Sequence, residues 1–138
     1  MMKDWKGVVI FFVILGFVSV SGLGQSQAST PDKIKIGLMF GMTGPASPIG
    51  PVQLKGAQLA IKEVNDKGGV SLGGKKVLVE GVIKDDESKP DVALRRFREL
   101  VHEDKVHGLV GSTFAPIAAA LNREMKKTPL PYVAACVA

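Results

Sequence analysis

Cysteine is almost missing from this chain: Cys136 is the only one in 138 residues. A single thiol excludes an internal disulfide framework. It also has no evident histidine partner, so burial as a small apolar residue is expected rather than nucleophilic catalysis. Aromatic residues are few, with one Trp, one Tyr and six Phe. Only two histidines occur, His102 and His107, and with no third ligand near them they read as surface residues. Long charged blocks are absent too. The 18 basic and 13 acidic residues are spread along the chain, which argues against a nucleic-acid or membrane-surface role. The densest basic stretch, Arg95-Arg96-Phe97-Arg98, sends Phe97 inward with Leu94 and Leu100 at helical spacing, so it is not an interleaved nucleic-acid face.

Catalytic and nucleotide signatures are equally scarce. No G-x-S-x-G occurs, and Gly37, Gly41 and Gly44 do not have the spacing of G-x-G-x-x-G. Gly69-Val70-Ser71-Leu72-Gly73-Gly74-Lys75 opens like a phosphate-binding loop, but Lys76 stands where a magnesium-binding hydroxyl is needed. That stretch also follows a helix pattern and precedes a strand pattern, the reverse of what phosphate binding requires. Asp85-Asp86-Glu87 lacks a legible partner for metal or acid–base work and reads as a solvated loop capping the next helix. No cofactor is called for, and nothing supports an enzyme.

What the sequence does contain begins with an export signal. Lys3 and Lys6 precede the apolar run 7–20, and Ser26-Gln27-Ala28 supplies the small residues of a cleavage site. The run is shorter than the roughly 20 apolar residues of a bilayer span, which favours a cleavable leader over an anchor. Residues 1–28 are therefore expected to be a signal peptide cut after Ala28, with Val20-Ser21-Gly22 as a weaker upstream option.

The mature part, from residue 29 to 138, alternates strand and helix. A first strand covers 33–40, a Gly- and Pro-bearing loop follows, and Leu54, Ala57, Ile61 and Val64 mark one face of a helix. Asn65 and Gly68-Gly69 end it in residues that favour left-handed closure. A connection over 70–74 leads to a second strand over 75–84. A helix over 90–103, with Ser88 or Asp91 as its cap, buries Leu94, Phe97, Leu100 and Val101. A third strand spans 106–111, a third helix 116–127, and a fourth strand starts at 130. Connections too long for hairpins predict an α/β fold: a three-layer parallel sheet with helices on both faces. The last strand has no following helix to cover its sheet face. The expectation is a fragment of a longer protein, against the alternative of a small complete flavodoxin-like domain missing its last helix.

Ligands of such sheets bind at the strand-to-helix loops. Here those loops are 41–50 and 111–116 at the C-terminal sheet edge. Pro116 suits a first helical turn, whose free amides could hold a carboxylate, with Ser112 and Thr113 adding hydroxyls or simply capping the helix.

The ordered set of residues 34–40, Thr43-Gly44-Pro45, Gly50, Gly56-Ala57, Ile61, Asn65 and Gly68-Gly69 resembles the start of type I periplasmic solute-binding proteins, in particular the leucine/isoleucine/valine-binding branch of ABC-transporter components. Asp85-Asp86, Ala93, Leu100-Val101, Lys105-Val106, Leu109-Val110-Gly111 and Pro131 continue it in order. The resemblance implies two α/β lobes closing on a small ligand, delivered to a membrane permease without chemistry. It implies a periplasmic protein, monomeric at full length, of which this chain is most of lobe one.

By the same resemblance the ligand site would be lined by Thr43, Ile49, Ser112, Thr113, Phe114, Ala115, Ala135 and Val137. The chain departs from the family pattern at three of them. Ile49 stands where amino-acid binders carry an aromatic, Ala115 where they carry a hydroxyl, and Val137 where they carry a threonine. Backbone contacts at Ala115 and Ala135 survive these changes; the side-chain hydroxyls do not. A buried charged group without partners is costly, which points away from a branched-chain amino acid in the usual pose and towards a more apolar small organic ligand. The other readings are a ligand-sensing receptor ectodomain of the same fold and, further off, a small secreted α/β enzyme.

Overall fold

The computed structural model describes residues 31–137; the expected leader lies outside them. Strand β1 (Lys33–Phe40) grows more buried towards its C-terminal end, where Leu38, Met39 and Phe40 are inaccessible to solvent. A short 3-10 turn (Gly44–Ala46) leads into helix α1 (Gly50–Asp66), with a proline in its first turn. Strand β2 (Val70–Leu72), β3 (Lys75–Asp85), α2 (Pro90–His102), β4 (Gly108–Gly111), α3 (Ala115–Met125) and β5 (Tyr132–Val133) follow.

The sheet runs β2-β3-β1-β4-β5. β1 lies parallel between β3 and β4, in a register that pairs Phe40 with Asp85 and Met39 with Gly111. β5 adds a parallel pair on the far side of β4. The α/β architecture with helices on both faces is thus present, but the sheet is not wholly parallel. The stretch expected to be a plain connection is half of a hairpin, because β2 pairs antiparallel with β3. Gly73 and Gly74 both take positive φ, as a two-residue turn between twisted strands requires.

Strand alternation divides the apolar residues between the two faces. Met39 and Leu109 meet Ala93, Phe97 and Leu100 of α2 and Ile117 and Leu121 of α3, forming the closed core. Among the described residues, the other face carries α1 alone. There Ile36, Leu38, Val79 and Val110 of the sheet, with Ala57, Ile61 and Val64 of α1 among others, line an open apolar hollow of about 310 Å³.

Several local expectations change. Asn65 does not close α1; its side-chain amide instead pairs with both backbone groups of Val79, at 2.8 Å each, and Gly68 and Gly69 make the turn with positive φ. Neither Ser88 nor Asp91 caps α2: the N-cap is Lys89, without a side-chain bond. The helix ends are otherwise within a residue or two of their sequence limits, while the last strand shrinks to Tyr132–Val133. Leu94 and Val101 are half-buried rather than fully enclosed, and Cys136 is exposed rather than buried. Cys136 follows β5, and none of the described residues packs over it.

Candidate ligand-binding site

The C-terminal ends of β1, β3, β4 and β5 deliver four segments to one edge of the sheet: 41–50, 85–88, 111–115 and 134–137. Close backbone approach brings the first segment inward. A Cβ on Gly50 would strike the Gly41 carbonyl, so only glycine lets the start of α1 press onto this loop.

Asp85 organises the first loop. Its Oδ1 accepts the N–H groups of Met42 at 2.9 Å and Glu87 at 2.8 Å, and Oδ2 accepts the Thr43 hydroxyl at 2.7 Å. Burial works against the charge, yet these donors outweigh it and hold the carboxyl below its ordinary value. Asp86 differs. It is fully buried, accepts the Ser88 N–H on Oδ1 at 2.8 Å, and leaves Oδ2 without a partner. Burial, reinforced by the neighbouring Asp85 charge, pushes its carboxyl up despite the Ser88 bond. The expected solvated acidic loop is therefore a structural one. Ser88 completes it by donating to the Thr43 carbonyl at 2.8 Å and accepting the Ala46 N–H at 3.0 Å.

The residues anticipated from the sequence gather at this edge, but in two layers. Ser112 and Thr113 are fully buried. The Ser112 hydroxyl donates to the Phe114 carbonyl at 3.1 Å, and its N–H donates to the Tyr132 hydroxyl at 3.2 Å. The Thr113 hydroxyl accepts the Gly41 N–H at 3.2 Å and donates to Gln53 Oε1 at 2.9 Å. Above them lie the exposed side chains of Thr43, Ile49 and Val137 and the half-buried Phe114, Ala115 and Ala135. Phe114 and Val137 form a parallel bridge, Val137 N–H donates to the Thr113 carbonyl at 2.9 Å, and Ala115 N–H reaches the Val137 carbonyl at 3.3 Å.

These bonds overturn the idea of a free anion-binding turn at α3. Ala115 N–H is bonded to Val137, Pro116 has none, and the Ile117 and Ala118 amides both return to the Phe114 carbonyl. The hydroxyls neither project outward nor cap the helix, whose N-cap is Phe114 without a side-chain bond.

Gln53 is the residue the sequence reading passed over. It lies on the sheet-facing side of α1 between Gly50 and Ala57, and its Nε2 donates to the Ala135 carbonyl at 2.6 Å. The available signal was a polar side chain on an otherwise apolar helical stripe. Among the described residues no cluster of three or more His, Cys, Asp or Glu could hold a metal ion, and no helix is long and apolar enough to cross a membrane.

A mostly parallel sheet with strand-to-helix loops converging on one edge is where open α/β folds usually bind ligands. The family model described as "Periplasmic binding protein" matches residues 33–138, and this chain belongs to that family. Among curated relatives, it is 32% identical over 115 residues to Leu/Ile/Val-binding protein homolog 7 of Brucella melitensis, covering 83% of this chain and 28% of that protein. To the leucine-specific-binding protein of Salmonella typhimurium it is 34% identical over 91 residues, covering 66% of this chain and 23% of the relative.

Solved structures agree. The branched-chain amino acid transporter substrate binding protein LivJ from Streptococcus pneumoniae, in complex with isoleucine, superposes with a TM-score of 0.68 at 33% identity over 77% of this chain and 30% of its own. A solute binding protein of an ABC transporter from Rhodopseudomonas palustris, in complex with 3,4-dihydroxy benzoic acid, gives 0.66 at 31% identity over 77% of this chain and 28% of its own. The chain thus spans less than a third of these relatives.

Proposed function

We propose that this chain is lobe-one sequence of an exported substrate-binding component of an ABC transporter. The protein captures a small organic ligand in the periplasm and passes it to a membrane permease, acting as a monomer and performing no chemistry on its cargo. Residues 1–28 serve as its cleavable export signal.

One observation carries the reading: the rim formed by Thr43, Ile49, Phe114, Ala115, Ala135 and Val137 is largely apolar, over a floor where Ser112 and Thr113 have their hydroxyls engaged. Such a rim receives an apolar body more readily than an unpartnered charge. The ligand class is an amino acid or a related carboxylate or amide, with its apolar part seated against Ile49. Relatives of comparable similarity were solved with isoleucine and with 3,4-dihydroxy benzoic acid, an aliphatic and an aromatic carboxylic acid, and both fit that description.

The test is calorimetric titration of the whole natural protein, recovered from the exported fraction, with L-isoleucine and with 3,4-dihydroxybenzoate. Saturable binding of either is expected, weakened at least tenfold by Ile49→Asp. Unchanged affinity in both Ile49→Asp and Thr113→Val would remove this edge from the site.

A further inference from the structure

We propose that Gln53 is the positioning residue of this rim, the one side chain that locks its three loops into a single geometry. The claim that this geometry serves a ligand rests on the functional reading above; the lock itself does not.

The hydrogen bonds run in one direction. The Ala135 carbonyl can only accept, so it takes the amide nitrogen of Gln53 and leaves Oε1 facing Thr113, whose hydroxyl accepts the Gly41 N–H and donates its own proton to that oxygen. A relay that begins at a backbone donor and ends at a backbone acceptor needs a link with both an acceptor and a donor. A carboxamide has both; a carboxylate has only acceptors and an aliphatic chain has neither.

Among the described residues, few other bonds hold segment 134–137. It follows a two-residue edge strand. Its other bonds among the described residues are Ala135 N–H to Gly111 at 3.3 Å, Val137 N–H to Thr113 at 2.9 Å, and Ala115 N–H to Val137 at 3.3 Å. Gln53 also sits one helical turn after Ile49, to whose carbonyl its own N–H donates at 3.1 Å. The same turn of α1 thereby presents Ile49 at the rim and fixes Ala135 across from it, with Gln53 itself beneath.

The experiment compares Gln53→Met, Gln53→Glu, Thr113→Val and Thr113→Ser in the whole natural protein. Amide hydrogen exchange is read first, without ligand. Gln53→Met should speed exchange at Gly41, Ala135 and Val137 roughly tenfold, the scale of one or two lost hydrogen bonds, and leave the β1–β3 ladder at its wild-type rate. Gln53→Glu, which keeps the Thr113 partner, should release Ala135 and Val137 but not Gly41, and it stands in if the methionine variant fails to fold. Thr113→Val should loosen Gly41, and Thr113→Ser should restore it.

L-isoleucine dissociation is read second and should quicken by roughly tenfold in Gln53→Met with association unchanged. Uniform acceleration over the β1–β3 ladder, or unaltered exchange at Ala135 and Val137, would overturn the lock. Altered exchange with unaltered dissociation would overturn its role in binding. Absence of isoleucine binding by the wild type would count against the functional reading for that ligand, while the exchange data would still decide the lock.

Discussion

On one face of the sheet, Met39 and Leu109 meet Phe97, Leu100, Ile117 and Leu121, all at 2% exposure or less. On the other, among the described residues, Ile36, Leu38, Val79 and Val110 meet α1 alone and leave an open apolar hollow. The strands are the same and so is their alternation; the difference is one helix against two. Apolar residues in a strand thus state that a face is to be covered, while the number of covering elements decides how well. The closed face is therefore where stability should concentrate, and the open face should tolerate change.

The largest effect expected is at the centre of the closed face. Phe97→Ala removes an aromatic side chain that is 1% exposed and packed between two helices and the sheet. Such truncations cost about 3–5 kcal/mol, to be read as a shift in the urea unfolding midpoint of the mature protein. A loss under about 1 kcal/mol would mean that the closed face is not the stabilising one.

A second prediction concerns the edge where the two faces end. Asp85→Ala strips Met42 and Glu87 N–H and the Thr43 hydroxyl of their acceptor, and should cost about 1–2 kcal/mol near neutral pH, within the range for half-buried donors left unpaired. The sign with pH follows from the lowered carboxyl. The folded state favours the ionised form, so the stabilisation is present above the ordinary value of 3.8 and is lost as pH falls below it. Equal cost at pH 7 and pH 3 would remove Asp85 from the fold's charge-dependent stability.

On the open face, Ile61→Ala provides the contrast. Ile61 is already half-exposed and lines the hollow, so truncation enlarges a space that water can reach rather than making a sealed cavity. The expected loss is about 1 kcal/mol, well below that of a core truncation. A loss matching that of Phe97→Ala would abolish the distinction between the faces.

Helices on both faces were legible, but not which face would be closed. The apolar spacing of α1 and α2 and the order of strands fixed the α/β class, because these signals are local and repeat along each element. What escaped depends on long-range partners. The hairpin of β2 is signalled only by Gly73-Gly74 between two short β-compatible stretches, and a glycine pair serves a plain connection as well as a hairpin turn until its pairing partner is known. The inward turn of Ser112 and Thr113 could not be read from their types, since a hydroxyl beside a helix start serves ligand, cap or loop equally well until its partners are known. Gln53 was within reach as a polar residue on an apolar stripe; its partners Thr113 and Ala135 lie far off in the chain.

The smallest effect expected is also the one that most sharpens the contrast, because Asp85 and Asp86 are adjacent and point apart. Asp85 is surrounded by donors, whereas the fully buried Asp86 leaves Oδ2 with none. Burial raises the Asp86 carboxyl above its ordinary 3.8, so the folded state holds the proton more tightly than the unfolded one. Its contribution is therefore fully favourable below the unfolded value and is lost as pH rises through the folded one. Asp86→Asn keeps an oxygen for the Ser88 N–H and removes the charge, exchanging one unpaired buried atom for another. At pH 7 the variant should lie within about 1 kcal/mol of the wild type. As pH is lowered towards 4 the wild type should gain relative to the variant, the reverse of the trend for Asp85. Parallel unfolding midpoints for wild type and Asp86→Asn across that range would show that burial leaves this carboxyl untouched, and the two neighbours would then differ only in their hydrogen bonds.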